Sequence, residues 1–134
     1  MKKISLLLLA VVILSSCLNN DNTSNYTFEY IAIDEAETPT SFTFGEKDTI
    51  TLKYSLSSSC YSFDRIYYDY QDTTRTVAVI AFVNLDGNCT EDIRQEEYKL
   101  PITANQREDY LFKFYKGRDN DGKSIFEEVV IPVN

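Results

Sequence analysis

Carboxylates, tyrosines and three cysteines make up the reactive inventory of this chain, and histidine is missing from it. The 134 residues hold 21 Asp and Glu, 10 Tyr, 3 Cys and no His. Without imidazole the commonest general base and the commonest transition-metal ligand are absent, so Ser-His-Asp and Cys-His catalysis is excluded. The single Met is residue 1, which excludes a Met-rich adaptable groove. Carboxylates, Lys, Tyr and Ser remain for catalysis, and Glu96-Glu97 and Glu127-Glu128 are the adjacent pairs that a glycosidase-like reaction would draw on. Neighbours on a strand point to opposite faces, so neither pair would share a site; both read as solvated edge charge. Asp119 and Asp121, with Glu127 beyond, cluster oxygen donors as a Ca²⁺ loop would. An EF-type loop needs Gly at its sixth position, whereas Gly122 follows closely on Asp119, and the segment reads as a hairpin turn rich in Asp, Asn and Gly. No catalytic residue, metal or cofactor is assigned, and the chain reads as a non-enzyme.

Binding is the chemistry left to aromatic side chains. The run from Tyr61 to Tyr70 alternates so that Tyr61, Phe63, Arg65 and Tyr67 would form an exposed face able to stack a sugar or a peptide. Tyr68 and Tyr70 share a side with Ile66 and read as core. The formal net charge of −8 repels phosphate backbones, so nucleic acid is not an expected partner.

The N-terminus carries an address. Lys2 and Lys3 form a basic start, Ile4 to Leu14 is almost unbroken Leu, Val, Ile and Ala, and Leu14-Ser15-Ser16-Cys17 closes the segment. An apolar stretch of about 10 residues suits a signal peptide and falls short of the roughly 20 that span a bilayer. The tetrapeptide resembles the bacterial lipobox, and the chain as a whole resembles small lipoproteins of the Bacteroidetes type. That resemblance implies removal of residues 1–16, lipidation of Cys17, and an outer-membrane anchor in the cell envelope, facing either the periplasm or the surface. Each buried CH₂ of such an anchor contributes about 0.8 kcal/mol, so two or three acyl chains hold where one would not. Processing would also remove Lys2 and Lys3 and leave the mature chain more acidic. Residues 17–25, polar and without periodicity, read as the lipidated Cys and a flexible tether. Asp48-Thr49-Ile50 and Asp72-Thr73-Thr74 resemble the O-glycosylation motif of such envelope proteins, which implies Thr49 and Thr73 as acceptors, Thr73 in its turn being the better placed.

With Cys17 lipidated, Cys60 and Cys89 remain. In an oxidising compartment an even pair is most simply a disulfide, closing a loop of about 30 residues; two separate buried thiols are the alternative. No C-x-x-C motif is present, so a thiol oxidoreductase is excluded.

The elements that must carry these residues are strands. Ile50, Leu52, Tyr54 and Leu56 fall on one face of Thr49–Leu56, and Tyr26–Ile33 also alternates. Thr76–Leu85, apolar on both faces, reads as a central strand ended by Asp86-Gly87. Thr40–Phe44 suits a short strand, Thr90–Glu97 either a helical turn or an edge strand, and Tyr98–Thr103 an edge demoted by Pro101. Asp109–Tyr115 and Ser124–Val133 complete the set. Seven to eight short strands predict an all-β fold, a single antiparallel β-sandwich over residues 26–134. The segment Asp109 to Val133 resembles the final hairpin of immunoglobulin-like and fibronectin-III-like bacterial domains, which implies that architecture and no functional residue. Two functions fit: a lipid-anchored binding module for another envelope protein or a glycan, or a small envelope inhibitor or ligand-binding β-barrel.

Overall fold

The computed structural model describes residues 24–134. The signal peptide at 1–16, the lipidation site Cys17 and most of the tether lie outside the described residues. Eight strands follow: β1 (Tyr26–Ile31), β2 (Ile33–Glu37), β3 (Lys47–Leu56), β4 (Tyr61–Gln71), β5 (Thr74–Asn84), β6 (Arg94–Thr103), β7 (Tyr110–Arg118) and β8 (Ser124–Ile131). They form two sheets, β2-β3-β6 and a five-stranded sheet centred on β5.

Alternation decides β3. Ile50, Leu52, Tyr54 and Leu56 are buried while Thr51, Lys53 and Ser55 stay half-covered on the outside, and β3 pairs with β6 over its whole length. Its continuous apolar character puts β5 at the centre of the larger sheet, as expected of a strand covered on both faces. One edge of β5 is taken by β4. The other is shared end to end: β1 runs antiparallel along Val79–Asn84, and β7 runs parallel along Thr74–Val77. Among the described strands, that β5–β7 contact is the one parallel ladder in an otherwise antiparallel sandwich. β8 completes the sheet beyond β7. Among the described residues no ladder joins the two sheets, so the closed barrel considered as an alternative is not this fold.

The core lies between the sheets, where the inner row of β3 meets Val77, Val79 and Ala81 of β5 and Tyr110, Phe112 and Phe114 of β7. Each large apolar side chain fully removed from water stabilises the fold by about 1.5–3 kcal/mol. Phe42, 1% exposed, seals one end against Tyr110 and Phe112.

Three elements differ from expectation. The strand expected over Tyr26–Ile33 is two, because the chain crosses at Ala32 from the larger sheet to the smaller one, delivering Ile33 to the core. The strand expected over Thr40–Phe44 is a single parallel bridge, Phe42 to Val133, held by backbone bonds to Pro132 and Asn134. The Thr90–Glu97 segment forms no helical turn; an irregular stretch leads into β6 at Arg94, and Pro101 sits on that edge strand, the place in a sheet where proline is tolerated.

Candidate functional site

The aromatic run on β4 is divided by a bulge. Between Phe63 and Arg65 the β4–β5 register shifts by one residue at Asp64, which resets the alternation of side chains. The face expected to hold Tyr61, Phe63, Arg65 and Tyr67 together is therefore split. Tyr61 and Phe63 turn inward and pack against the core, Phe63 stacking on Tyr98 with ring centroids 5.2 Å apart. The Tyr61 hydroxyl donates to Glu29 Oε2 at 2.9 Å; that bond, aided by burial, raises the pKa of the phenol above the usual tyrosine value. Arg65 and Tyr67 turn outward. Tyr68 and Tyr70 do keep the side of Ile66, but the smaller sheet does not cover them, and Tyr70 is 71% exposed rather than core.

Arg65 and Tyr67 join a larger surface. The outward positions of β1 are Tyr26, Phe28 and Tyr30, which lie opposite Asn84, Phe82 and Ile80 of β5. Tyr26 stacks on Phe82 at 5.2 Å, Phe28 meets Phe82 edge-on at 5.9 Å, and the Arg65 guanidinium, ion-paired with Asp64, lies 5.1 Å from the Phe28 ring centre. Tyr30 contacts Tyr67 at 5.7 Å and Tyr115 at 5.9 Å, and Tyr115 contacts Phe126 of β8 at 5.9 Å. These rings bury Ala78 and Ile80 on the outer side of β5, where no second layer of described residues lies. The rings themselves remain open: Tyr26, Phe28, Tyr30, Tyr67 and Phe126 are 37–49% exposed. A groove of about 230 Å³ runs between Tyr30, Tyr67, Tyr115 and Phe126, with Ala78 at its base and Arg118 at its rim. Edge-to-face and stacked pairs add about 0.5–1.5 kcal/mol each beyond area burial, so the face is a pre-ordered platform rather than a set of loose side chains.

The carboxylate pairs do not converge. Glu128 pairs with Lys113 at 3.1 Å and Glu127 with Lys116 at 3.4 Å, on opposite sides of β8. Glu96 accepts from the Tyr54 hydroxyl at 3.2 Å, and burial first, then this carboxylate, raises the Tyr54 pKa far above the usual value. Asp119 spends its carboxylate on the backbone, accepting from the N–H groups of Asp121 and Lys123 at 2.9 Å each.

Cys60 and Cys89 are joined, with Cα atoms 5.3 Å apart, tying the start of β4 to the loop between β5 and β6; the alternative of two separate thiols falls. Of the two threonines, Thr49 is the exposed one. Thr73 is half-buried because β7 meets the hairpin base, the Leu111 N–H donating to the Thr73 carbonyl at 3.0 Å, so the order of accessibility is the reverse of that expected.

The outward role of β1, β7 and β8 was missed in the sequence. Tyr26, Phe28 and Tyr30 do recur at period two, but that period marks a face without saying whether it looks inward or outward.

A family model described as the ORF11 beta-sandwich domain matches residues 50–129. The match takes in Arg65, Tyr67, Tyr115 and Phe126 and stops short of β1. No curated protein and no solved structure matches the chain.

Proposed function

The chain belongs to the ORF11 beta-sandwich domain family, and from that premise we propose that it is a lipid-anchored, non-enzymatic binding module of the bacterial cell envelope. In this reading Cys17 carries the lipid, the anchor sits in the outer membrane, and the outer aromatic face engages another envelope protein. The observation that carries it is the row of five half-exposed rings on one sheet face, packed in two groups, Tyr26 and Phe28 around Phe82, and Tyr30, Tyr67 and Phe126 around Tyr115. Isolated exposed apolar residues are ordinary, whereas contiguous ones rimmed by polar groups mark interaction surfaces, and Tyr, Phe and Arg are the side chains enriched at interface centres. Cys17 and Tyr26 are close enough in sequence that an extended tether reaches only about 30 Å, which keeps the face near the bilayer and favours a partner that is itself at the membrane.

Capture from solubilised envelopes tests this reading. The wild-type lipoprotein should retain one discrete partner, and Tyr30→Ala with Tyr67→Ala should lose it while still unfolding in one cooperative urea transition, its midpoint lowered only by the lost ring contacts. Equal retention by the double variant would refute the assignment of the face. Retention by envelope polysaccharide in place of a protein would reassign the partner to a glycan.

A further inference from the structure

A second site lies on the other side of the larger sheet. Where the last residues of β4 face the last residues of β6, a cleft of about 560 Å³ opens between Tyr68 and Tyr70 on one side and Pro101 on the other, with Arg75, Asn105 and Tyr110 completing its lining. That volume is in the range of small-molecule sites.

Arg75 is the unexpected member. The core-facing row of β5 reads Val83, Ala81, Val79, Val77, and the next position along it is an arginine instead of a further apolar residue. The guanidinium is held in place by neutral groups alone. Its Nη1 donates to the carbonyl oxygens of Asp72 at 2.8 Å and Thr74 at 3.0 Å, and its Nη2 donates to Gln106 Oε1 at 2.8 Å. It also lies 4.9 Å from the centre of the Tyr110 ring and 5.6 Å from that of Tyr70. No carboxylate among the described residues pairs with it, in a chain whose net charge is −8. A positioned cation in a partly enclosed cleft, left without a counter-charge by an acidic protein, is a site complementary to an anion. Its surroundings narrow the class. Tyr70, 71% exposed at the mouth, offers a flat apolar ring, and Tyr68 and Asn105 in the lining are residues whose polar groups can bond hydroxyls.

We propose that this cleft binds an acidic sugar, a pyranose bearing a carboxylate, with the carboxylate paired to Arg75 and one face of the ring laid on Tyr70. The site is separate from the outer aromatic face and does not depend on what that face binds.

Calorimetric titration of the full chain with glucuronate and galacturonate tests the assignment, with glucose, acetate and inorganic phosphate as the comparison probes. Saturable binding of a hexuronate is expected, tighter than that of glucose by about tenfold or more, as one charge-assisted pair implies, and tighter than that of acetate through the ring laid on Tyr70. Arg75→Gln should reduce the hexuronate to the glucose level, Arg75→Lys should leave an intermediate affinity, and Lys123→Gln, the same charge change in the distant β7–β8 turn, should alter nothing. Equal binding of glucose and hexuronate, or an unchanged preference in Arg75→Gln, would overturn the role of Arg75. Acetate or phosphate binding as tightly as the hexuronate would overturn the sugar and leave an anion site, and absence of saturable hexuronate binding would overturn the proposal altogether. If Arg75→Gln fails to fold, the comparison among the five probes on the wild-type chain decides the matter alone.

Discussion

Removing the Cys60–Cys89 bridge should cost a large share of the domain's stability. The two cysteines are 29 residues apart in sequence, for which loop-closure entropy in the unfolded chain gives about 3–4 kcal/mol. The folded side of the balance changes little, because the same region is held by other bonds. The Ser59 N–H donates to the Thr90 carbonyl at 3.0 Å, the Thr90 N–H to Ser59 Oγ at 2.9 Å, and the Asn84 N–H to the Cys60 carbonyl at 3.0 Å. The loss therefore falls on the unfolded ensemble. Against a typical total of about 5–15 kcal/mol it is large, and it corresponds to a fall of about 13–17 °C in melting temperature. Urea unfolding of the wild type and of Cys60→Ser/Cys89→Ser, both under oxidising conditions, measures it. The variant should show the lower midpoint together with a somewhat larger m-value, since the freed chain exposes more surface when unfolded. A change below about 1 kcal/mol, or wild-type cysteines that alkylate freely without reductant, would refute the reasoning.

Gly87 sits against the same bridge: a Cβ there would meet Cys60 Sγ at 3.0 Å, so Gly87→Ala should destabilise the oxidised protein by about 1 kcal/mol and cost clearly less in the serine double variant, a coupling that a double-mutant cycle reads directly. Alkaline pH should destabilise the domain through Tyr54, Tyr61 and Tyr68, whose phenols are all held above the ordinary tyrosine pKa of 10.0, Tyr54 and Tyr68 chiefly by burial and Tyr61 chiefly by its bond to Glu29. A pKa raised in the folded state contributes stability that is whole below the unfolded value and is lost as pH climbs through the folded one, so urea midpoints should be level below about pH 9 and fall beyond about pH 10; a flat profile to higher pH would contradict the assignment. Cys17→Ser should move the protein from the membrane to the soluble envelope fraction, and membrane retention of that variant would refute the lipid anchor.

Legibility followed from how much each segment's burial depends on its own sequence. β3 and β5 could be read because one alternates strictly and the other is apolar throughout, and the disulfide could be read once Cys17 was set aside. The binding face could not. A single extra residue at Asp64 inverts the orientation of everything after it on β4, and nothing in Asp64-Arg65-Ile66 announces a bulge. The parallel contact between β5 and β7 is a tertiary choice between strands far apart in the chain, and it is what half-buries Thr73. Arg75 lay within reach: extending the row Val83, Ala81, Val79, Val77 by one step leads to it, but starting the strand at Thr76 cut the row short.

The central claim is that the outer aromatic face is where this protein meets a partner. A photo-crosslinking residue in place of Tyr67, compared with one in place of Lys99 on the exposed side of β6, tests that in intact cells. The account predicts a discrete adduct from position 67 that disappears when Tyr30→Ala is added, and none from position 99. Crosslinking from 99 alone, or no adduct from either position, would contradict it.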